Sequence, residues 1–170
     1  MRKAILMTVL AVCVFGLSVG AIASDRAKFA VFFNDKSVIG TSTPYIGMMS
    51  NFIDFGVGYA HSKNDASSRT MQNGLSFFIQ GKYPSPIINN LYNVFGIEYA
   101  TISGDVLGIS IDDYTALGAY YGFQYKLVEQ FYLTGSFFIY STSSIKLAGG
   151  NKVTTTALNS TIRLGVATHL

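Results

Sequence analysis

The chain has 170 residues, and charged side chains, 12 basic and 9 acidic, make up only 12% of it. That share is about half of what soluble globular domains carry, whereas Gly, Phe and Tyr are abundant, with 17, 13 and 11 copies. No run of Lys or Arg and no acidic tract occurs, which argues against nucleic-acid binding. A single cysteine is present, so disulfide bonds within the chain cannot hold the fold together.

The N-terminal segment has the three parts of a secretory signal peptide. Residues 1–3 are Met-Arg-Lys, residues 4–22 form an apolar run without a charge, and Ala21-Ile22-Ala23 is a small-x-small cleavage site. We therefore predict a signal peptide of residues 1–23 and a mature domain of residues 24–170. Two alternatives stay open, a single transmembrane helix and a lipoprotein signal with Cys13 as the lipidated residue. Against the second, Val12 is large for the position before a lipidated cysteine.

Two-residue alternation of large apolar with small or polar residues predicts strands along the mature domain. The predicted strands cover residues 28–34, 38–49, 51–61, 74–83, 91–102, 114–127, 131–141 and about 155–170. Pro44 suggests a break or a kink in the second of these. If these eight strands form one antiparallel sheet that crosses a membrane, their even number lets both ends of the chain lie on the same side.

The predicted connections alternate between two lengths. Residues 62–73, residues 103–113 with Gly104-Asp105 and Asp112-Asp113, and residues 146–152 form longer polar loops on one side. The connections at Pro84 and at Val128 are short and lie on the other side. We expect the longer loops to face the outside of the cell.

The two faces of the predicted strands differ in character. One face carries Phe, Ile, Leu, Val and Tyr, and the opposite face carries small and polar residues. Unpaired charge is costly in an apolar core, so the polar face suits the narrow interior of a membrane barrel. The polar network predicted in the lumen comprises Asp54, Gln80, Lys82, Glu98, Gln124, Lys126 and Arg163. The aromatic girdle predicted at the membrane interfaces comprises Tyr59, Tyr83, Tyr99 and Tyr125. The fold class expected is therefore all-β, a closed antiparallel up-and-down transmembrane barrel of eight strands.

The lumen charges allow two interpretations. A polar pathway or gate would be functional, whereas a charge-paired plug would simply fill the interior. Near balance between acids and bases favours the plug, because buried charges need partners.

The signal peptide, the mature length near 150 residues and the alternating strands resemble small eight-stranded outer-membrane proteins of the OmpA/OmpX type. The terminal strand over residues 160–170, with Gly165 five residues before its end, adds to the resemblance. This resemblance implies a porin-like β-barrel domain in the outer membrane of a Gram-negative cell envelope. It also implies that the barrel-assembly machinery reads the C-terminal strand, although the family ends in an aromatic residue where this chain has Leu170.

The function expected is a structural or surface-interaction role, with outer-membrane lipid and lipopolysaccharide as partners. Lys63, Arg69 and Lys146 on the predicted outer loops could contact lipopolysaccharide phosphates. No cofactor and no metal are expected, because the two histidines are far apart and the cysteine leaves with the signal peptide.

Two other functions stay open. His61, Ser62 and Asp65 could form the activated serine of a lipid A deacylase-like barrel enzyme. A soluble lipocalin-like binding barrel is the other alternative, and it would need an apolar interior and a charged exterior.

Overall fold

A computed structural model describes residues 27–38, 42–64, 70–106, 109–146, 152–158 and 162–169. The predicted signal peptide lies outside these ranges. The described residues form nine antiparallel strands in one sheet. The strands are β1 Lys28–Asn34, β2 Thr43–Met49, β3 Ile53–Asn64, β4 Thr70–Pro84, β5 Leu91–Val106, β6 Ile109–Val128, β7 Phe131–Lys146, β8 Lys152–Leu158 and β9 Ile162–His169.

The sheet closes on itself to form a barrel. Each strand from β1 to β7 pairs with the next along the chain, and β9 returns to pair with β1. Both β8 and β9 pair with β7, β9 along Phe131–Phe137 and β8 along Tyr140–Lys146. The two short strands therefore follow one edge of β7 and count as a single strand of the barrel. The prediction of a closed, eight-stranded, up-and-down antiparallel barrel is confirmed.

The predicted bounds of the last strand are wrong in detail. It was expected to run unbroken over about residues 155–170, but it begins at Lys152 and is described as two strands. The register against β7 shifts by one residue between the pairs Phe137↔Ile162 and Tyr140↔Leu158. Such a one-residue offset is characteristic of a β-bulge, which interrupts the ladder locally.

The first hairpin begins as predicted and then departs from the prediction. β1 covers residues 28–34, but β2 begins at Thr43 rather than at Val38. Val38 instead donates its backbone N–H to Glu98 Oε1, at 2.8 Å, from inside the barrel. Pro44 does not break β2, because the pairing of β2 with β3 starts only at Tyr45 and no donor to β3 is needed before it.

Two of the predicted polar loops are largely strand. Ser62 pairs with Gln72, and Asp105 pairs with Ser110, so β3, β4, β5 and β6 extend well into the segments expected to be loops. These strands have 12 to 20 residues, whereas a tilted strand crosses a bilayer in about 9–11. Backbone pairing does not depend on side-chain polarity, which explains why the strands continue where the apolar pattern ends. We call the end with these extensions the upper end, and the end with the start of β1 and the end of β9 the lower end.

The outer face of the barrel is apolar. Many of its large side chains are more than a third exposed and others are partly exposed, although Phe55, at an outward position of β3, is only 4% exposed. The exposed set on this face includes Phe29, Phe33, Ile46, Tyr59, Leu75, Phe95, Ile97, Leu117, Phe123, Leu133, Phe137, Ile162 and Leu164.

The inner face combines polar groups with aromatic rings. Phe78 packs edge-on against Phe32 and Tyr45, with ring centroids 4.9 and 5.1 Å apart. Glycine provides the space for such rings in a narrow barrel. A Cβ at Gly96 would lie 2.5 Å from the ring of Tyr120. The interior is therefore a packed core that also contains charges.

Candidate functional site: a buried charge network in the lumen

The lower half of the lumen is built around Asp54, which is fully buried. Lys82 Nζ lies 2.8 Å from Asp54 Oδ1. Gln80 and Gln124 each donate a side-chain N–H to Asp54 Oδ2, at 3.0 and 3.4 Å. Lys82 also donates to Gln124 Oε1 at 3.2 Å. Both oxygens of the carboxylate are therefore occupied, and the ammonium group has an ion pair and a hydrogen bond.

The upper half of the lumen is built around Glu98, which is also fully buried. Its Oε2 pairs with Arg163 Nη1. Its Oε1 accepts hydrogen bonds from Tyr45 Oη at 2.9 Å and Ser76 Oγ at 3.2 Å, besides the one from the Val38 backbone. The chain after β1 thus reaches into the lumen and binds the same carboxylate that pairs with Arg163.

Tyr120 joins the two halves. Its hydroxyl donates to Gln80 Oε1 at 3.0 Å, and its ring lies 3.9 Å from the guanidinium carbon of Arg163. The ring of Phe138 lies 5.0 Å from the same carbon, and Arg163 Nε donates to Ser136 Oγ. Arg163 is therefore held by one carboxylate, one hydroxyl and two aromatic faces, an arrangement that planar guanidinium groups favour.

The network leaves little space between the strands. The cavity beside Tyr120, Gln124 and Arg163 measures about 20 Å³, which is room for about one water molecule. Among the described residues, the one buried side-chain nitrogen or oxygen without a hydrogen-bond partner is His169 Nδ1, at the lower end. The cavity beside Arg163 is therefore too small for an organic ligand.

Six of the seven residues predicted for the lumen network contact one another in these two groups, and Lys126 does not. Lys126 is partly exposed at the lower mouth, where it lines a separate pocket with Lys28 and His169. Its position near the end of β6, two residues beyond Gln124, explains the difference.

The four tyrosines predicted for the girdle lie on the outer face at two heights. Tyr83 and Tyr125 pair with Asn93 and Leu91 near the lower end of β5. Tyr59 and Tyr99 lie on the upper parts of their strands. Tyr59 and Tyr83 are 57% and 54% exposed, while Tyr99 and Tyr125 are partly buried.

The candidate catalytic residues stay a prediction. The backbones of His61 and Ser62, consecutive residues of β3, pair with Asn73 and Gln72. Asp65 lies outside the described residues, as does Arg69. Across the described ranges, no group of three or more His, Cys, Asp or Glu side chains could hold a metal ion. No helix in those ranges is long and apolar enough to cross a membrane.

The sequence prediction missed the hydroxyl and aromatic partners of the charges. Tyr45, Ser76, Ser136 and Tyr120 each bind or stack on a charged or amide group of the network. The signal that could have identified them is the alternation itself. It places hydroxyl groups on the inner face of strands next to those with Glu98 and Arg163.

No protein-family model and no curated protein matches this chain. Two solved structures are similar to it. The crystal structure of a major outer membrane protein from Thermus thermophilus covers 85% of this chain and 99% of its own, at 15% identity and a TM-score of 0.46. The crystal structure of Neisserial surface protein A (NspA) covers 85% of this chain and 94% of its own, at 20% identity and a TM-score of 0.45. The fold assignment rests on the strand pairing described above.

Proposed function

We propose that this chain is an exported integral outer-membrane β-barrel protein with a structural or surface-interaction role and a lumen closed by its own side chains. The observation that carries the proposal is the distribution of polarity across the barrel wall. Asp54, Glu98, Lys82 and Arg163 are buried inside, while the outer face exposes Phe, Ile and Leu. A water-soluble barrel needs the reverse arrangement, because exposed apolar patches of this extent lead to association.

Closure of the sheet supports the same proposal. A bilayer offers no hydrogen-bond partners to the backbone, so a sheet that crosses it must have no free edge. Strands β1 to β7 and β9 each have a neighbour on both sides, whereas β8 is described with one neighbour, β7. The apolar face and the closed ladder together satisfy the two requirements of a transmembrane strand.

The upper end of the barrel supports a role at the cell surface. Three hairpins, β3–β4, β5–β6 and β7–β8, carry the pairing beyond the apolar part of the wall. Lys146 and Lys152 pair at the tip of the third and are exposed. Such cationic hairpin ends suit contact with the phosphates of lipopolysaccharide.

The packed lumen argues against a pore. Eight strands leave an interior just wide enough for side chains, and the cavity described beside Arg163 has room for about one water molecule. We expect the purified protein to give no stable single-channel current in planar bilayers. A steady open conductance would contradict the filled lumen without contradicting membrane insertion.

Fractionation of cells that express the full chain tests the proposed location. We expect a mature protein beginning at Ser24 in the outer-membrane fraction. It should migrate differently on a denaturing gel before and after boiling, as folded barrels do. Recovery only from the soluble periplasm would overturn the proposal, and an uncleaved N terminus would overturn the predicted signal peptide.

We also propose that the barrel-assembly machinery reads the C-terminal strand, which closes the barrel by pairing β9 with β1. Replacing Leu170 with Phe would match the aromatic ending of the resembled family. We expect it to raise the yield of assembled barrel in cells, measured as the heat-modifiable fraction. An unchanged fraction would argue against recognition of the terminal residue.

A further inference from the structure

The lower mouth of the barrel holds a pocket that the charge network does not use. It measures about 130 Å³ and lies among the ends of β1, β2, β6, β7 and β9. A single water needs about 10–15 Å³ by this measure, so the pocket has room for a small polyatomic group. Its lining residues are Lys28, Met49, Ser50, Asn51, Lys126, Glu129, Tyr132 and His169.

His169 gives this pocket an unused hydrogen-bonding atom. The residue is 5% exposed, and its Nδ1 has no partner in the described structure. The imidazole donates a hydrogen bond to the backbone carbonyl of Glu129, which must come from Nε2. Its ring lies 6.0 Å from the ring of Tyr132. A buried polar atom without a partner costs about 1–3 kcal/mol, so a group that binds Nδ1 would relieve a real penalty.

The charge around the pocket is mainly positive. Lys28 and Lys126 line it and act electrostatically on His169. Glu129 is the one acidic side chain among the lining residues. Lys82 lies beyond Tyr132, with its Nζ 5.8 Å from the Tyr132 ring, and its charge is already paired with Asp54. The pocket therefore presents two cations and one imidazole against one carboxylate.

We propose that this lower-mouth pocket binds a phosphate-class anion, with Lys28 and Lys126 as the cationic contacts and a protonated His169 donating from Nδ1. Phosphate oxygens accept charge-assisted hydrogen bonds from ammonium and imidazolium groups. Burial, with the charge of Lys28, lowers the pKa of His169. Because His169 must gain a proton to donate from Nδ1, binding is coupled to proton uptake and is tighter toward low pH. The phosphate belongs either to a soluble anion or to a lipid headgroup at the rim.

Histidine NMR tests this proposal directly, because the chain has only two histidines and the second is its internal control. His61 lies in the upper part of β3, paired with Asn73, at the other end of the barrel. The full mature chain is folded in octyl glucoside without phosphate, labelled with ¹⁵N-histidine, and titrated with inorganic phosphate at several pH values. We expect a saturable shift of the His169 ring signals and a higher midpoint for its protonation, with His61 unchanged.

Charge variants separate a built site from general electrostatic attraction. Lys28→Gln and Lys126→Gln should each weaken phosphate binding roughly tenfold, the loss expected for one charge-assisted hydrogen bond. Glu129→Gln should strengthen it, because it removes the opposing charge. Lys146→Gln with Lys152→Gln removes two exposed charges at the upper end and should leave binding unchanged. The proposal would be overturned if the Lys146 and Lys152 substitutions weakened phosphate binding as much as the Lys28 and Lys126 substitutions do. Equal shifts of the ring signals of both histidines would also overturn it.

A second arm distinguishes the sources of the phosphate. The same labelled protein is inserted into phosphatidylglycerol vesicles in phosphate-free buffer. A His169 shift produced by inorganic phosphate supports a soluble anion, whereas a shift produced only by the vesicles supports a lipid headgroup. If neither changes the His169 signals, the pocket is not an anion site and the proposal fails.

Discussion

At the residue scale, the main feature of this protein is a pair of carboxylates buried in a barrel that is apolar outside. Asp54 and Glu98 are each surrounded by a cation and several neutral donors. The sequence predicted both residues as inward-facing, because alternation fixes the face of each side chain. It did not predict their partners, because those depend on the stagger between strands, which alternation within one strand does not contain.

The Glu98–Arg163 pair leads to a prediction about stability. Removing one partner leaves an uncompensated buried charge, which costs about 3–5 kcal/mol. We therefore expect Glu98→Gln and Arg163→Met to lower the free energy of unfolding by about that much each, measured by urea titration in lipid vesicles. The double variant should cost clearly less than the sum of the two, since it removes both charges. Additive losses would show that the two side chains are not energetically coupled.

The inner-face glycines give a second prediction with a matched control. A methyl group at residue 96 would meet the Tyr120 ring at 2.5 Å, whereas at residue 81 its nearest neighbour is Phe95 O at 3.9 Å. Gly96→Ala should therefore destabilise the barrel by about 1–3 kcal/mol, the usual cost of overpacking. Gly81→Ala should be nearly neutral. Equal effects of the two substitutions in the same unfolding assay would contradict the packing described for Tyr120.

At the element scale, the strands were predicted well where they are apolar on one face and poorly beyond that zone. β1 and the lower ends of β5 and β7 match their predicted bounds at Lys28, Leu91 and Phe131. For the upper extensions of β3 to β6 the sequence predicts loops, because the alternation of apolar with small or polar residues ends before them. The sequence predicts Val38 in a strand, whereas its backbone N–H binds Glu98 in the lumen. Its apolar side chain is compatible with either position, so the residue type does not distinguish them.

The upper extensions are expected to be dispensable for the barrel itself. In β5–β6 the register shifts between Ile102 and Gly104, so residues 104–111 lie beyond an irregularity in the ladder. Replacing these residues with a two-residue Asn-Gly turn should leave a folded barrel that still changes migration on boiling. If no heat-modifiable species forms, the extension is part of the folding core.

At the scale of the whole molecule, the fold class could be predicted because closure, an even strand count and two contrasting faces all follow from composition and alternation. The division of the last strand could not, because it depends on a register shift against β7. The lower-mouth pocket could not be predicted either, because its basic groups are on three strands that are distant along the chain.

We expect the apolar face of the barrel to contact lipid and the charged face to be enclosed. The direct measurement is electron paramagnetic resonance of spin labels on single cysteines, Ile97→Cys or Leu133→Cys, in the mature chain reconstituted in lipid vesicles. Cys13 lies within the predicted signal peptide, so the mature chain offers no competing thiol. Both labels should be accessible to lipid-soluble oxygen and protected from a water-soluble nickel complex, while a label at Lys146→Cys should show the reverse. Free access of the nickel complex to labels at residues 97 and 133 would contradict contact between this face and lipid.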